Sequence, residues 1–167
     1  AKIFRVEKIQ THGGSIRIYI TKNSKTKIEA NVKKILKEEE DFGIKNFNIY
    51  QLFGKKIEKI RNQVRENLVK IRKQNKLIIG YGAPAKATTA LNFFGIKNEI
   101  DFIVEDNPMK HNKFIPGVNI KIKNKKAITT KNNLLLVLAW NFFNDIKKNN
   151  SELSNKIISI KDLEKNI

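Results

Sequence analysis

The chain has 167 residues, a length that suits one domain able to bury a hydrophobic core without staples. It contains no cysteine, which excludes a disulfide framework and a thiolate zinc site, and no apolar run approaches the ~20 residues of a membrane span. The formal net charge of +18 raises nucleic acid as a partner, but most of the basic residues are lysines dispersed beside abundant Asn and Ile, all with A/T-rich codons, and no basic–aromatic alternation suited to base stacking accompanies them.

Taken in chain order, Phe4–Ile9 reads as a short strand and Thr11-His12-Gly13-Gly14 as a turn. Ser15–Ile20 alternates with period two, placing Ile16, Ile18 and Ile20 on one face and Ser15, Arg17 and Tyr19 on the other, the pattern of a half-buried strand. Ile28, Val32, Ile35 and Leu36 recur at helical spacing, and Gly43 supplies the stop. A longer helix carries Ile49, Phe53, Ile57, Ile60, Val64, Leu68 and Ile71 on one stripe, with a charged outer face that solvation explains.

From Lys76 the pattern changes. Leu77–Ile79 is a continuous apolar run, the mark of a strand buried on both faces. A Gly-rich turn leads into a helix with Ala87, Ala90, Leu91 and Phe94 inward, then a strand over Ile100–Val104 and a polar, Pro-bounded loop over Asp106–Gly117. Val118, Ile120 and Ile122 suggest a short strand, Leu134–Leu138 a buried one, Phe142–Lys148 a helix and Ile157–Ile160 a last strand. Strands alternating with helices predict an α/β, Rossmann-like three-layer domain with a mostly parallel sheet. Residues 1–167 are expected to form a single domain, with 1–45 a strand/helix extension packed on the core and 46–167 the helix plus βαβ core. The absence of an initial Met and of a signal pattern suggests a piece of a longer, cytoplasmic chain.

The chemistry concentrates in Gly80-Tyr81-Gly82-Ala83-Pro84-Ala85-Lys86, which follows a strand and opens a helix. Gly80, Gly82 and Ala85 satisfy the spacing G-x-G-x-x-G/A. On this reading Gly80 permits a tight turn, Gly82 lets a ligand reach the backbone, Ala85 allows close helix–strand packing and Pro84 suits the first helical turn. The free N–H groups of the helix start, at Gly82 and Ala83 onward, then face an anion, with the Lys86 ammonium beside them. A bare strand-to-helix turn is the plainer alternative.

Glu105 and Asp106 end the next strand, where an acid in a NAD-binding domain would grip a ribose, though turn formation explains them too. His12 beside Gly13-Gly14 is either a ligand contact or a surface turn residue, and with His111 the only other histidine no metal site is expected. Asn141, just past the third core strand, either meets a ligand there or caps the following helix. No catalytic triad can be assembled.

Five segments in order resemble one family: His12-Gly13-Gly14-Ser15-Ile16-Arg17, the Gly80–Lys86 turn, Asp106-Asn107-Pro108 with Lys110, Pro116-Gly117 with Ile120, and Ala139-Trp140-Asn141. Together they look like the C-terminal domain of the SAM-dependent sugar C-methyltransferases, which methylate a carbon of a dTDP-linked keto-deoxysugar. The resemblance implies a nucleotide-sugar, dTDP-linked, as ligand, held by Gly80, Gly82, Ala83 and Lys86, with His12, Ser15, Arg17 and Asn141 as further contacts. It implies no catalytic residue and no cofactor in this chain. SAM, a structural zinc and the acid/base residues are expected on preceding parts of a longer polypeptide, whose SAM-binding domain would be the partner. Two departures stand out: His111-Asn112 occupies a stretch where the family tends to have Gly, and Asp145 replaces a usual Glu. A free-standing Rossmann module for NAD or another nucleotide, and a basic nucleic-acid-binding module, are the alternatives.

Overall fold

The structure, a computed structural model, describes residues 1–74 and 77–165. Lys76, where the strand-like pattern begins, lies outside the described residues. The chain divides into two compact units, Ala1–Lys56 and Ile57–Ile167.

In the first unit β1 (Lys2–Ile9) and β2 (Ser15–Thr21) form an antiparallel hairpin. The turn between them carries three successive positive φ values, 57° at His12, 88° at Gly13 and 122° at Gly14, a run that residues with a Cβ rarely sustain. Helix α1 (Ala30–Phe42) ends at Gly43, whose φ of 82° turns its N–H back onto the Glu39 and Glu40 carbonyls. Asn31 Nδ2 donates to the Val6 carbonyl at 2.8 Å, and Lys8 pairs with Glu38 at 2.5 Å, tying α1 to β1.

The alternation expected of β2 is present, but the apolar face is the open one. Ile16, Ile18 and Ile20 are exposed, Ile20 by 63%, whereas Ser15 and Tyr19 are half-buried. The reason lies in cross-strand chemistry. Tyr19 is held by the Glu7 carboxylate at 2.9 Å and lies 6.2 Å from the Phe4 ring, and a two-stranded ribbon has only one such face to satisfy.

Helix α2 (Phe47–Arg72) follows. Its predicted stripe is fully buried only toward the C-terminal end: Val64, Leu68 and Ile71 are in the core, Ile49, Ile57 and Ile60 are half-covered, and Phe53 is exposed.

The second unit is built on a five-stranded, wholly parallel sheet in the order β5-β4-β3-β6-β7. The strands are β3 (Leu77–Tyr81), β4 (Phe102–Val104), β5 (Ile122–Lys123), β6 (Asn133–Val137) and β7 (Lys156–Ser159), with α3 (Ala85–Phe94) and α4 (Phe143–Asn149) between them. On one face Ile78, Leu134 and Leu136 pack with Val64 and Leu68 of α2 and Ala87 and Leu91 of α3. On the other, Ile79, Tyr81, Leu135 and Val137 pack with Phe143 and Ile146 of α4. This is the three-layer, Rossmann-like α/β fold the alternating pattern predicts.

β4 and β5 are shorter than expected. Val118 and Ile120 are buried but lie before β5, in a loop that doubles back through an antiparallel bridge between Phe114 and Lys121. Asn112 takes a φ of 62° in that loop, the conformation required of it in place of Gly. Gly80 lies inside β3 rather than at a turn. A Cβ there would come 2.7 Å from Ile103 Cγ1 and 3.0 Å from Leu138 Cδ1, so it is glycine because neighbouring side chains fill the space.

One buried polar side chain anchors the C-terminal segment. Asn67 of α2 donates from Nδ2 to the carbonyls of Leu163 at 2.9 Å and Lys165 at 2.7 Å, while Leu163 itself is in the core. Asn67→Ala should therefore lower the unfolding free energy by about 1–3 kcal/mol, the cost of leaving the buried Leu163 carbonyl without its donor. Urea denaturation measures this, and an unchanged midpoint would mean that water replaces the amide.

Candidate functional site

The strand order reverses between β3 and β6, so their carboxyl ends flank the crevice where open α/β sheets bind ligands. The two loops leaving these strands touch. Gly82 has a φ of 89°, and a Cβ on it would lie 2.9 Å from Ala139 Cβ. The backbone brought close to Gly82 is thus that of the β6–α4 loop, where sequence reasoning placed a ligand.

The N–H groups of the turn have partners within the chain. Gly82 donates to the Val104 carbonyl at 2.8 Å and Ala83 to Glu105 Oε2 at 2.7 Å. Glu105 Oε1 accepts from Asn107 N–H at 3.1 Å, and Lys110 Nζ lies 3.5 Å from Glu105 Oε2 while donating to the Ala83 carbonyl at 3.0 Å. His111 Nε2 sits 2.8 Å from the Glu105 carbonyl. Pro84 precedes α3 as its N-cap, with a ψ of 164°, and is not in the first helical turn. Ala85 is exposed, and the residue that packs α3 onto the sheet is the fully buried Ala87.

Beyond the turn, Lys86 on α3 places its ammonium 5.9 Å from the centre of the Trp140 ring, and Lys161 lies 5.8 Å from the same ring. Trp140 is half-buried in a 3-10 turn over Trp140–Phe142. It lines two clefts. One, of about 440 Å³, includes Lys86, Thr89 and Phe93. The other, of about 430 Å³, includes Asn141, Ser159 and Lys161. Asn141 is exposed on the second cleft and does not cap α4, whose N-cap is Phe142 without a side-chain bond. Sequence reasoning passed over Lys161, which no local pattern distinguishes from the other lysines.

A second polar cluster sits on the α4 side. The buried Tyr81 hydroxyl lies 2.8 Å from Asp106 Oδ2 and 3.2 Å from Asn150 Oδ1, and Lys125 pairs with Asp106 at 2.9 Å. Burial, and then the Asp106 charge, push the Tyr81 phenol above its ordinary value. Among the described residues no group of three or more His, Asp and Glu is placed to hold a metal ion.

His12, Ser15 and Arg17 belong to the first unit. His12 is exposed in the hairpin turn, and Ser15 Oγ donates to the Thr11 carbonyl at 3.0 Å. Ser15 and Arg17 share a strand face, as expected. Arg17 Nη1 lies 3.8 Å from Glu7 Oε2, beyond hydrogen-bond length.

The electrostatics of the turn have a pH signature. Burial alone would raise the Glu105 carboxyl, but the Ala83 and Asn107 N–H groups and the Lys110 ammonium outweigh it and hold it below the ordinary range. For Asp106 burial is likewise outweighed, by Lys125 and the Tyr81 hydroxyl. A carboxyl lowered by folding contributes stability in full above its unfolded value, about 4, and loses it as pH falls through the lowered one. Thermal melts should therefore show stability declining below about pH 4, with a shallower decline in Glu105→Gln. Identical acid profiles for the two proteins would show that Glu105 is not held in this way.

Comparison with known proteins agrees with this architecture. A family model described as the C-methyltransferase C-terminal domain matches residues 10–159, from the hairpin turn to the end of β7. The chain is also 30% identical over 154 residues to the C-methyltransferase NovU of Streptomyces niveus, across 90% of this chain and 37% of that protein. The chain thus spans little more than a third of the length of this relative. Together with the parallel sheet, the match places the chain in the C-methyltransferase C-terminal domain family.

Proposed function

We propose that this chain is the part of a longer SAM-dependent C-methyltransferase that holds a nucleotide-linked sugar, dTDP-linked as the family resemblance implies, and presents it to a methyl-donor domain of the same polypeptide. The observation that carries the reading is the approach of Lys86 and Lys161 to Trp140 beside the crevice between β3 and β6. A nucleoside diphosphate asks for cations near its phosphates and an apolar plate for its base. The first turn of α3 and the two ammonium groups supply the former, and the indole face the latter.

The chemistry of carbon methylation explains why a binding domain is needed. A sugar carbon beside a keto group becomes nucleophilic only as its proton leaves, and it must then stand in line with the sulfonium methyl. Binding energy from the nucleotide, remote from the reacting carbon, can be spent on that alignment. In this reading Lys86 and the first turn of α3 lie nearest the phosphates, Ala83 shapes the turn before them with its N–H given to Glu105, and Asn141 on the neighbouring cleft meets the ligand at its edge. Gly80 and Gly82 act by letting β3 and its turn pack closely. His12, Ser15 and Arg17, all in the first unit, are sugar or diphosphate contacts on the family resemblance alone, and Arg17 lies 3.8 Å from the Glu7 carboxylate. The acid/base residues, the SAM site and a structural zinc belong to the remainder of the longer protein.

Calorimetric titration tests this. Thymidine diphosphate should bind the chain and SAM should not. Lys86→Ala should weaken thymidine diphosphate by about tenfold to a hundredfold with little change in melting temperature, since a charge-assisted bond is worth roughly 1.5–3 kcal/mol. Arg17→Lys, which keeps the charge but not the fork, should weaken the intact nucleotide-sugar. Wild-type affinity in both variants would remove this assignment, and SAM-dependent methylation by the chain alone would remove the division of labour.

A further inference from the structure

In dinucleotide-binding folds of this topology two features recognise the cofactor. The diphosphate rests on N–H groups of the first strand-to-helix turn, and an acid at the end of the next strand accepts from the ribose hydroxyls. Here both positions are present, and each consumes the other. Glu105, at the end of β4, turns its carboxylate onto the β3–α3 turn. Oε2 takes the Ala83 N–H at 2.7 Å and Oε1 takes the Asn107 N–H at 3.1 Å. Gly82, the other donor of the turn, is bonded to the Val104 carbonyl at 2.8 Å.

Lys110 locks the arrangement, 3.5 Å from the Glu105 carboxylate and 3.0 Å from the Ala83 carbonyl. His111 holds the backbone of Glu105 itself, at 2.8 Å. The Glu105 side chain is only 14% exposed, so it is seated rather than draped over the surface. The opposite flank of the crevice is closed as well, because Ala139 fills the space beside Gly82.

We propose that Glu105 is a built-in anion that occupies the diphosphate position of the fold and makes this domain refuse dinucleotides such as NAD and FAD. It is a specificity-determining residue. A dinucleotide would bring a second anion against a seated carboxylate, and the neighbouring Asp106 is already engaged by Lys125 and the Tyr81 hydroxyl. The closure does not depend on whether Lys86 binds a nucleotide-sugar, since that lysine lies beyond the turn.

Amide-resolved NMR on the whole chain tests the closure, with inorganic pyrophosphate and NAD as probes. In the wild type at neutral pH the Gly82 and Ala83 amides should not respond to either. In Glu105→Gln, which keeps an acceptor oxygen but loses the charge, and in Glu105→Ala, which vacates the position, the same amides should shift saturably with pyrophosphate, at least tenfold more tightly than in the wild type. Saturable shifts at these amides in the wild type matching those of the variants would overturn the proposal, as would silence in variants whose spectra show an intact fold. Should neither variant fold, the wild type alone decides. The Ala83 amide shift should titrate together with the Glu105 carboxyl, below the ordinary carboxylate range, and independence of the two would end the idea. A silent Lys86 amide in the presence of thymidine diphosphate counts against the nucleotide-sugar reading and leaves this one standing.

Discussion

Strands β3 and β6 are covered on both faces, and that constraint organises the second unit. Ile78 and Leu134 turn to one layer and Ile79 and Leu135 to the other, so neither strand has a solvent side. Parallel neighbours cannot be joined by a tight turn, so each must cross over through a helix. The chain leaving β3 goes to α3 on one face, and the chain leaving β6 goes to α4 on the other. The two exits begin side by side at Gly82 and Ala139 and then diverge. The crevice, and the groups around it, result from burying two adjacent strands completely.

Around that crevice charge is distributed unevenly in function though evenly in sequence. Most of the lysines behind the net charge of +18 decorate exposed faces. Lys86 and Lys161 differ because distant parts of the chain bring them to one indole ring. Lys110 and Lys125 differ again, since each neutralises a carboxylate at the end of β4. A high net charge thus describes solubility and long-range attraction, while the groups able to act locally are selected by the fold.

The glycine-rich segment shows how spacing and mechanism can part. Its residues satisfy a dinucleotide fingerprint, and the strand–turn–helix context agrees. Yet Gly80 answers to Ile103 and Leu138, Gly82 to Ala139, and the packing role given to Ala85 falls to Ala87. The turn is tight because neighbouring strands and loops require it, and its donors are met by Glu105 and Val104. Such a turn stays compatible with anion binding further along α3, where the helix start and Lys86 lie.

Much of this protein was legible in its sequence. Period-two and helical patterns identified the hairpin, α1, α2 and the βαβ alternation, because those periods follow from local backbone geometry. The continuous run Leu134–Leu138 announced a strand buried on both faces, and Gly43 and Asn112 announced backbone turns that few other residues adopt. The family, too, was readable from five short segments in order. Tertiary structure alone decided which face of β2 is open, since Tyr19 finds Glu7 and Phe4 across the ribbon while Ile20 finds no layer there. It alone decided that Glu105 faces the β3–α3 turn, and that Lys161 joins Lys86 at the Trp140 ring. Local pattern reports what a residue's neighbours in the chain permit. Which charge meets which donor can depend on contacts far apart in the chain, such as Ala83 with Glu105, 22 apart, and these exist only once the sheet is assembled.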